Sequence, residues 1–141
     1  MSDKSHYAPL SDWDRMVMIR TVIGEARSES AAGKAAVAWV IRNRYYSGRF
    51  ALTIAGCCLA RKQFSCWNDD DPNRQICANY DENTDIYRQV KMIVDDVLSN
   101  VGVDPTGNAT HYHTTAIKPP WAEGHEPTIT IGAHAFYAGI R

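Results

Sequence analysis

Met16-Val17-Met18-Ile19-Arg20-Thr21-Val22-Ile23-Gly24-Glu25-Ala26-Arg27-Ser28-Glu29 decides how this chain folds. Apolar residues at Met16, Val17, Ile19, Val22, Ile23 and Ala26 fit a mostly buried helix. Ser11, with Asp14 three residues on, reads as a capping box that opens this helix just before Trp13. Glu25 stands out near its end. A carboxylate in apolar company either finds hydrogen-bond partners or holds its proton more tightly than in water. An acid kept neutral near pH 7 is what a general acid requires, so Glu25 is the leading candidate for chemistry. The plainer reading is a Glu at a helix end, solvated or paired with Arg20 or Arg27.

Outward from this helix, Ser28 or Ser30 caps a second one carrying Ala31, Ala32, Ala35, Ala36, Val37, Trp39, Val40 and Ile41. Its alanines favour helix and permit close approach to a neighbour. Arg42 and Arg44 suit the C-terminal end of the dipole, and Gly48 marks the exit. Residues 49–83 show no clear period. An apolar piece runs from Phe50 to Leu59, and the turn-rich Asn68 to Asn73 carries the acids Asp69, Asp70 and Asp71. Those acids lack the Gly and distal Glu of an EF-hand, so a solvated turn is expected. Thr84 opens the clearest helix, through Ile86, Tyr87, Val90, Ile93, Val94, Val97 and Leu98, with Gly102 ending it and Pro105 blocking continuation. After Gly107 the period falls to two, in Ala109 to Thr114 and again in Thr128 to Ile131. The tail from Gly132 to Tyr137 carries the last aromatics. The expected fold is α+β, a helical core with a small antiparallel sheet.

A chain of 141 residues is expected to form one domain over 1–141, the first ten residues a flexible segment. Hydrophobic residues at 45% and charged residues at 22% are ordinary for a soluble globular protein. A net charge of −1 carries no field suited to nucleic acid, and no apolar run approaches a membrane span. Met1 to His6 lacks the layout of a signal peptide, so synthesis in the cytoplasm is expected. Cys57, Cys58, Cys66 and Cys77 form no CxxC pair, and free thiols are the default reading. A disulfide formed after export is the alternative.

Several constellations compete for chemistry. Glu25 and Glu29 would share a face on a continuous helix, but Ser28 and Ser30 suggest that the helix ends between them. His111 and His113 form an HxH on one strand face, to which His134, or His125 with Glu126, would add ligands for zinc. The plainer reading makes these histidines groove residues, and no helical HExxH supports a metal. A Ser or Cys nucleophile lacks its signature, since there is no GxSxG and Cys66 has no evident His partner. Trp67, Tyr112, Trp121, Phe136 and Tyr137 gather in the irregular and strand regions. Beside Gln63, Ser65, Asn108 and Thr110, such rings suit a groove that stacks on sugars and bonds their hydroxyls and amides.

Four segments in order resemble one family. Ile23 to Ser30 with Gly33 to Arg44, then Lys62-Gln63-Phe64-Ser65-Cys66-Trp67, then Ala109-Thr110-His111-Tyr112-His113, then Ile131-Gly132-Ala133-His134-Ala135-Phe136-Tyr137 look like the SleB-type cell-wall hydrolases. That family includes spore cortex-lytic enzymes and phage lysins, and the resemblance spans about residues 13–137. It implies a lysozyme-like fold and cleavage of peptidoglycan glycan strands between N-acetylmuramic acid and N-acetylglucosamine. The family's catalytic acid falls on Glu25. Ser28 replaces a common glycine, and Ala133 stands where the family often has Asn.

The implied reaction is lytic transglycosylation. Glu25 protonates the glycosidic oxygen, then takes a proton from the muramic C6 hydroxyl as a 1,6-anhydro ring closes. If water attacks instead, the enzyme is a muramidase, with Glu29 as candidate second acid. Gln63, Phe64, Ser65, His111, Tyr112 and Tyr137 are the candidate substrate-binding residues. No metal or other cofactor is expected. The chain resembles a minimal phage or prophage lysin, acting as a monomer on peptidoglycan after release to the wall. Alternatives of another class are a zinc-dependent wall peptidase or amidase and a non-catalytic wall-binding module.

Overall fold

The computed structural model describes residues 10–60 and 63–141. The flexible segment expected over 1–10 therefore lies, Leu10 apart, outside the described residues, as does Lys62 of the second motif. Leu10 itself packs against the core.

The apolar run forms α1 (Asp12–Ala26), and its capping box is present in both halves. Ser11 Oγ accepts from the Asp14 amide at 3.1 Å, and Asp14 Oδ2 accepts from the Ser11 amide at 3.0 Å. The second Asp14 oxygen accepts from the amide of Ala55 at 2.8 Å, which joins the start of α1 to the start of α3 (Ile54–Leu59). Helix α2 (Ala31–Ser47) starts at Ser30 and ends at Gly48, whose φ of 73° is the left-handed cap that glycine supplies. The short α4 (Asn73–Ala78) and long α5 (Asp85–Leu98, capped by Thr84) complete the helices. The last helix stops before Gly102, because Ser99 caps it and Asn100 turns at a φ of 58°.

Helix α1 packs against all four other helices, which explains why its apolar residues cover more than one face. Met18, Val22 and Ile23 are fully buried with Val37, Ile41, Val90 and Val94. The two arginines proposed as partners for Glu25 go elsewhere. Arg20 donates to the carbonyls of Cys77 and Tyr80 at 3.0 and 2.9 Å, and Arg27 donates to Asn73 at 2.8 Å. Both hold the α4 segment against α1.

The three-stranded antiparallel sheet comprises β1 (His111–Thr114), β2 (Ile129–Ile131) and β3 (His134–Tyr137), with β3 in the middle. Tyr112 sits opposite Phe136, and His111 opposite Tyr137. Strand alternation then separates two faces. Tyr112, Phe136 and Ile131 pack on the helical core, while Ala135 and Tyr137 form a second small cluster with Ala122, Ile140 and Trp121.

One glycine in α1 is set by close approach. A methyl group at Gly24 would overlap the thiols of both Cys66 and Cys77. Gly24→Ala should therefore lower stability by about 1–3 kcal/mol through overpacking. Urea unfolding checks this, and an unchanged midpoint would contradict the tight contact.

Candidate active site

Glu25 lies in the last turn of α1, half-buried, and three groups donate to its carboxylate. Tyr112 Oη, from β1, donates to Oε1 at 2.5 Å. The backbone amide of Cys66 donates to Oε2 at 3.3 Å, with the Ser65 hydroxyl at 3.5 Å. Ser65 and Cys66 open a 3-10 turn, Ser65–Trp67, whose Trp67 is pinned by an indole N–H donation to Thr21 Oγ1 of α1 at 2.8 Å. Helix, turn and sheet thus meet on one carboxylate.

Tyr112 is suited to remain a donor. Burial, then the negative charge of Glu25 and the hydrogen bond to it, push its phenol well above the usual range. Its ring packs edge-on to His134 at 4.9 Å and near Phe136 at 5.6 Å.

The carboxylate opens into a cleft of about 270 Å³ lined by Glu25, Arg44, Gln63, Ser65, Asn68, Tyr112, His113 and Thr114. Asn68 also borders a neighbouring cleft of about 890 Å³ that includes Leu59, Trp67 and Arg74. Arg44 is the residue whose role the sequence did not reveal. Read as a dipole charge at a helix end, it is buried, donates to the Thr110 carbonyl at 2.6 Å and to Gln63 Oε1 at 3.0 Å. Its guanidinium lies between the Phe50 and Phe64 rings at 4.9 and 4.8 Å. Burial lowers its pKa, opposed by the nearby Tyr112 and, more weakly, Glu25.

Glu29 lies in the turn after α1, as the flanking serines suggest, and is engaged elsewhere. Its Oε1 accepts the amide of Ala133 at 2.9 Å. That contact fastens the turn between β2 and β3 and leaves no room for a side chain at Gly132, whose φ is 57°. Because only the backbone of residue 133 is used, Ala133 serves as well as Asn for this bond. His134 Nδ1 approaches the same oxygen at 3.9 Å, and burial lowers the His134 pKa.

Three expected groove residues do not line this cleft. Phe64 is only 1% exposed and belongs to the core beneath Tyr112. Tyr137 is 3% exposed, and its hydroxyl is shared with His113 Nε2 at 2.8 Å, so it supports a groove residue rather than lining the groove. His111 stacks between Phe50 and Trp121 and bonds Thr110 through Nδ1 at 2.9 Å, away from Glu25. The zinc arrangement also fails geometrically. His134 pairs with Thr114 and so lies on the opposite face from His111 and His113. Among the described residues, no three His, Cys, Asp or Glu side chains gather in a metal-binding group. The acids at 69–71 form a turn, where Asp71 accepts from the Asn73 amide at 2.7 Å and Asp69 pairs with Arg74 at 3.6 Å.

A lysozyme-like α+β domain with a carboxylate at the head of a polar cleft is thus defined, and comparison with known proteins agrees. The Cell Wall Hydrolase family matches residues 28–137, and the chain belongs to that family. It is 33% identical over 130 residues to a spore cortex-lytic enzyme of Halalkalibacterium halodurans, covering 92% of this chain and 36% of the relative. It is 32% identical over 124 residues to one of Bacillus cereus, covering 87% and 43%. The chain thus spans well under half the length of these curated relatives. It superposes on the crystallographic catalytic domain of Bacillus cereus SleB with a TM-score of 0.76 and 28% identity, covering 96% of this chain and 98% of that one. The catalytic domain of the germination-specific lytic transglycosylase SleB from Bacillus anthracis gives 0.72 and 30%, covering 92% and 98%.

Two measurements test this geometry. Tyr112→Phe removes one carboxylate donor and should cost roughly 1–3 kcal/mol of stability in denaturant unfolding; a neutral change would contradict the bond. The second concerns His111, whose pKa is pulled down to about 4 by burial and then by Arg44 and Arg49. The unfolded chain takes up this proton near pH 6.5 but the folded chain only near pH 4, so stability is full above 6.5 and falls between the two. His111→Gln should flatten the melting-temperature profile over that window. Parallel profiles would contradict the assignment.

Proposed function

We propose that this chain cleaves the glycan strands of peptidoglycan at the bond from N-acetylmuramic acid to N-acetylglucosamine, as a lytic transglycosylase. The observation that carries this is the three-donor cradle around Glu25 at the mouth of a polar cleft, in a chain that superposes on the catalytic domain of a lytic transglycosylase.

In this reading Glu25 enters the reaction protonated and donates to the glycosidic oxygen as the bond to muramic C1 breaks. Positive charge develops on C1 and its ring oxygen, and the carboxylate left behind faces it. Tyr112, the Cys66 amide and Ser65 are in place to hold that carboxylate at the moment it forms. The C6 hydroxyl then attacks C1, its proton passes to Glu25, and the acid is restored. No water is consumed and no second carboxylate is needed, which accords with the engagement of Glu29 by the Ala133 amide.

The cleft supplies the remaining recognition. Gln63, Ser65, Asn68 and Thr114 offer amides and hydroxyls matched to sugar hydroxyls and acetamido groups. Arg44 fixes Gln63, and Tyr137 fixes His113. A groove continuing past Asn68 toward Trp67 is consistent with a polymeric substrate. The partner is peptidoglycan rather than nucleic acid. The site of action is the wall.

Glu25→Gln keeps the shape and removes the proton. Release of muropeptides from purified sacculi should fall by about 100-fold or more, with the melting transition retained. Mass spectrometry of the wild-type digest should find products roughly 18 Da lighter than hydrolysis products, the mark of anhydro ends. Reducing ends would instead identify a muramidase, and full activity in the variant would remove Glu25 from the mechanism.

A further inference from the structure

The geometry points to Cys66 and Cys77 as a dithiol that closes, on exposure to an oxidising disulfide, into a cross-link bracing the turn beneath Glu25. Four thiols are present, all buried and all free in the structure. Cys66 and Cys77 meet at Gly24, and the proposed glycan chemistry uses neither thiol. Both thiols rest on Gly24, the residue next to Glu25, where a single added methyl group would overlap the two sulfurs at once, so they lie side by side. The absence of a Cβ at Gly24 is what admits them.

Each thiol is carried by a short segment. Cys66 belongs to the Ser65–Trp67 turn, and its own amide donates to Glu25. Cys77 belongs to the six-residue α4, whose Arg74, Gln75, Ile76 and Ala78 are exposed. Arg20 and Arg27 of the α1 region fix α4 from the inside, at the Cys77 carbonyl and at Asn73. A covalent link would therefore join two short segments already registered against one helix. The loop closed runs from residue 66 to 77, short enough to need little chain rearrangement.

The pair is also chemically unequal. The neighbouring Cys66 thiol, then the charge of Arg27, lowers the Cys77 pKa, while Cys66 is raised by Cys77 beside it and by burial. Cys57 and Cys58 are pushed up to about 11 and about 12 by burial, which leaves them inert. When local opening of α4 admits the oxidant, the Cys77 thiolate attacks one sulfur of a small-molecule disulfide and expels the other as thiolate. Cys66 then attacks the Cys77 sulfur of the mixed disulfide. A second thiolate leaves, and the Cys66 proton goes to the leaving groups. Two protein thiols are oxidised and one small disulfide is reduced to two thiols.

This inference stands apart from the proposed glycan cleavage, and its test does not depend on that activity. The folded chain is incubated with oxidised glutathione, alkylated, and digested with trypsin without reduction. Peptides 63–74 and 75–88 should appear joined, while 50–61, which holds Cys57 and Cys58, appears alkylated. The oxidised chain should melt higher, by on the order of 10 °C, and return to its former transition on reduction. Cys66→Ser should stop at a glutathione adduct on Cys77, and neither it nor Cys77→Ser should gain thermal stability. Recovery of 63–74 and 75–88 as separate peptides from the wild-type chain would overturn the proposal. A joined protein that melts no higher would overturn the bracing role.

Discussion

The hydrogen bond from Tyr112 to Glu25 is the contact on which the rest of the arrangement depends. It is the point at which a helical core and a three-stranded sheet share a polar group. Helix α1 is surrounded by four other helices, so a carboxylate in its last turn is expensive unless donors reach it. One comes from the sheet and two from the 3-10 turn, and each has its own anchor. Tyr112 is wedged against Phe136, His134 and Phe64, while the turn is pinned by Trp67 on Thr21. The site is therefore set by packing on both sides, and its polar atoms are held before any substrate arrives.

That arrangement explains several sequence features that otherwise look unrelated. Gly24 precedes Glu25 because two thiols occupy the space a side chain would need. Gly132 follows Ile131 because the Glu29 carboxylate comes up against the turn there. Arg44 is an arginine because one planar guanidinium bridges the Thr110 carbonyl and Gln63 while filling the gap between Phe50 and Phe64. Glu25 and Glu29, four residues apart, serve different ends, since one faces the cleft and the other fastens a hairpin.

The long helices were legible because caps and apolar spacing agree locally. Ser11 with Asp14, Ser30 and Thr84 open helices where the pattern predicts them. The short α3 and α4 were hidden, since six residues are too few to display a helical period. Strand β3 was missed for another reason. His134 to Tyr137 is buried on both faces, by the core on one and by the Trp121 cluster on the other, so no polar alternation marks it. In the site, Glu25, Gln63, Ser65 and Tyr112 were legible from the four-motif resemblance and do line the cleft. His111 lies outside the cleft although His113 on the same face lines it, because Phe50 and Trp121 flank its ring, and a strand's period does not show which of its residues such neighbours will hold. Arg44 was invisible as a site residue, because its partners lie 19 and 66 positions away.

In the proposed reaction one acid suffices because the substrate supplies its own nucleophile. The most direct test is digestion of purified peptidoglycan in water enriched in oxygen-18, followed by mass spectrometry of the released muramic ends. Ring closure by the C6 hydroxyl predicts ends that carry no heavy oxygen. Incorporation of one heavy oxygen at C1 from the first turnover would contradict it and make water the nucleophile.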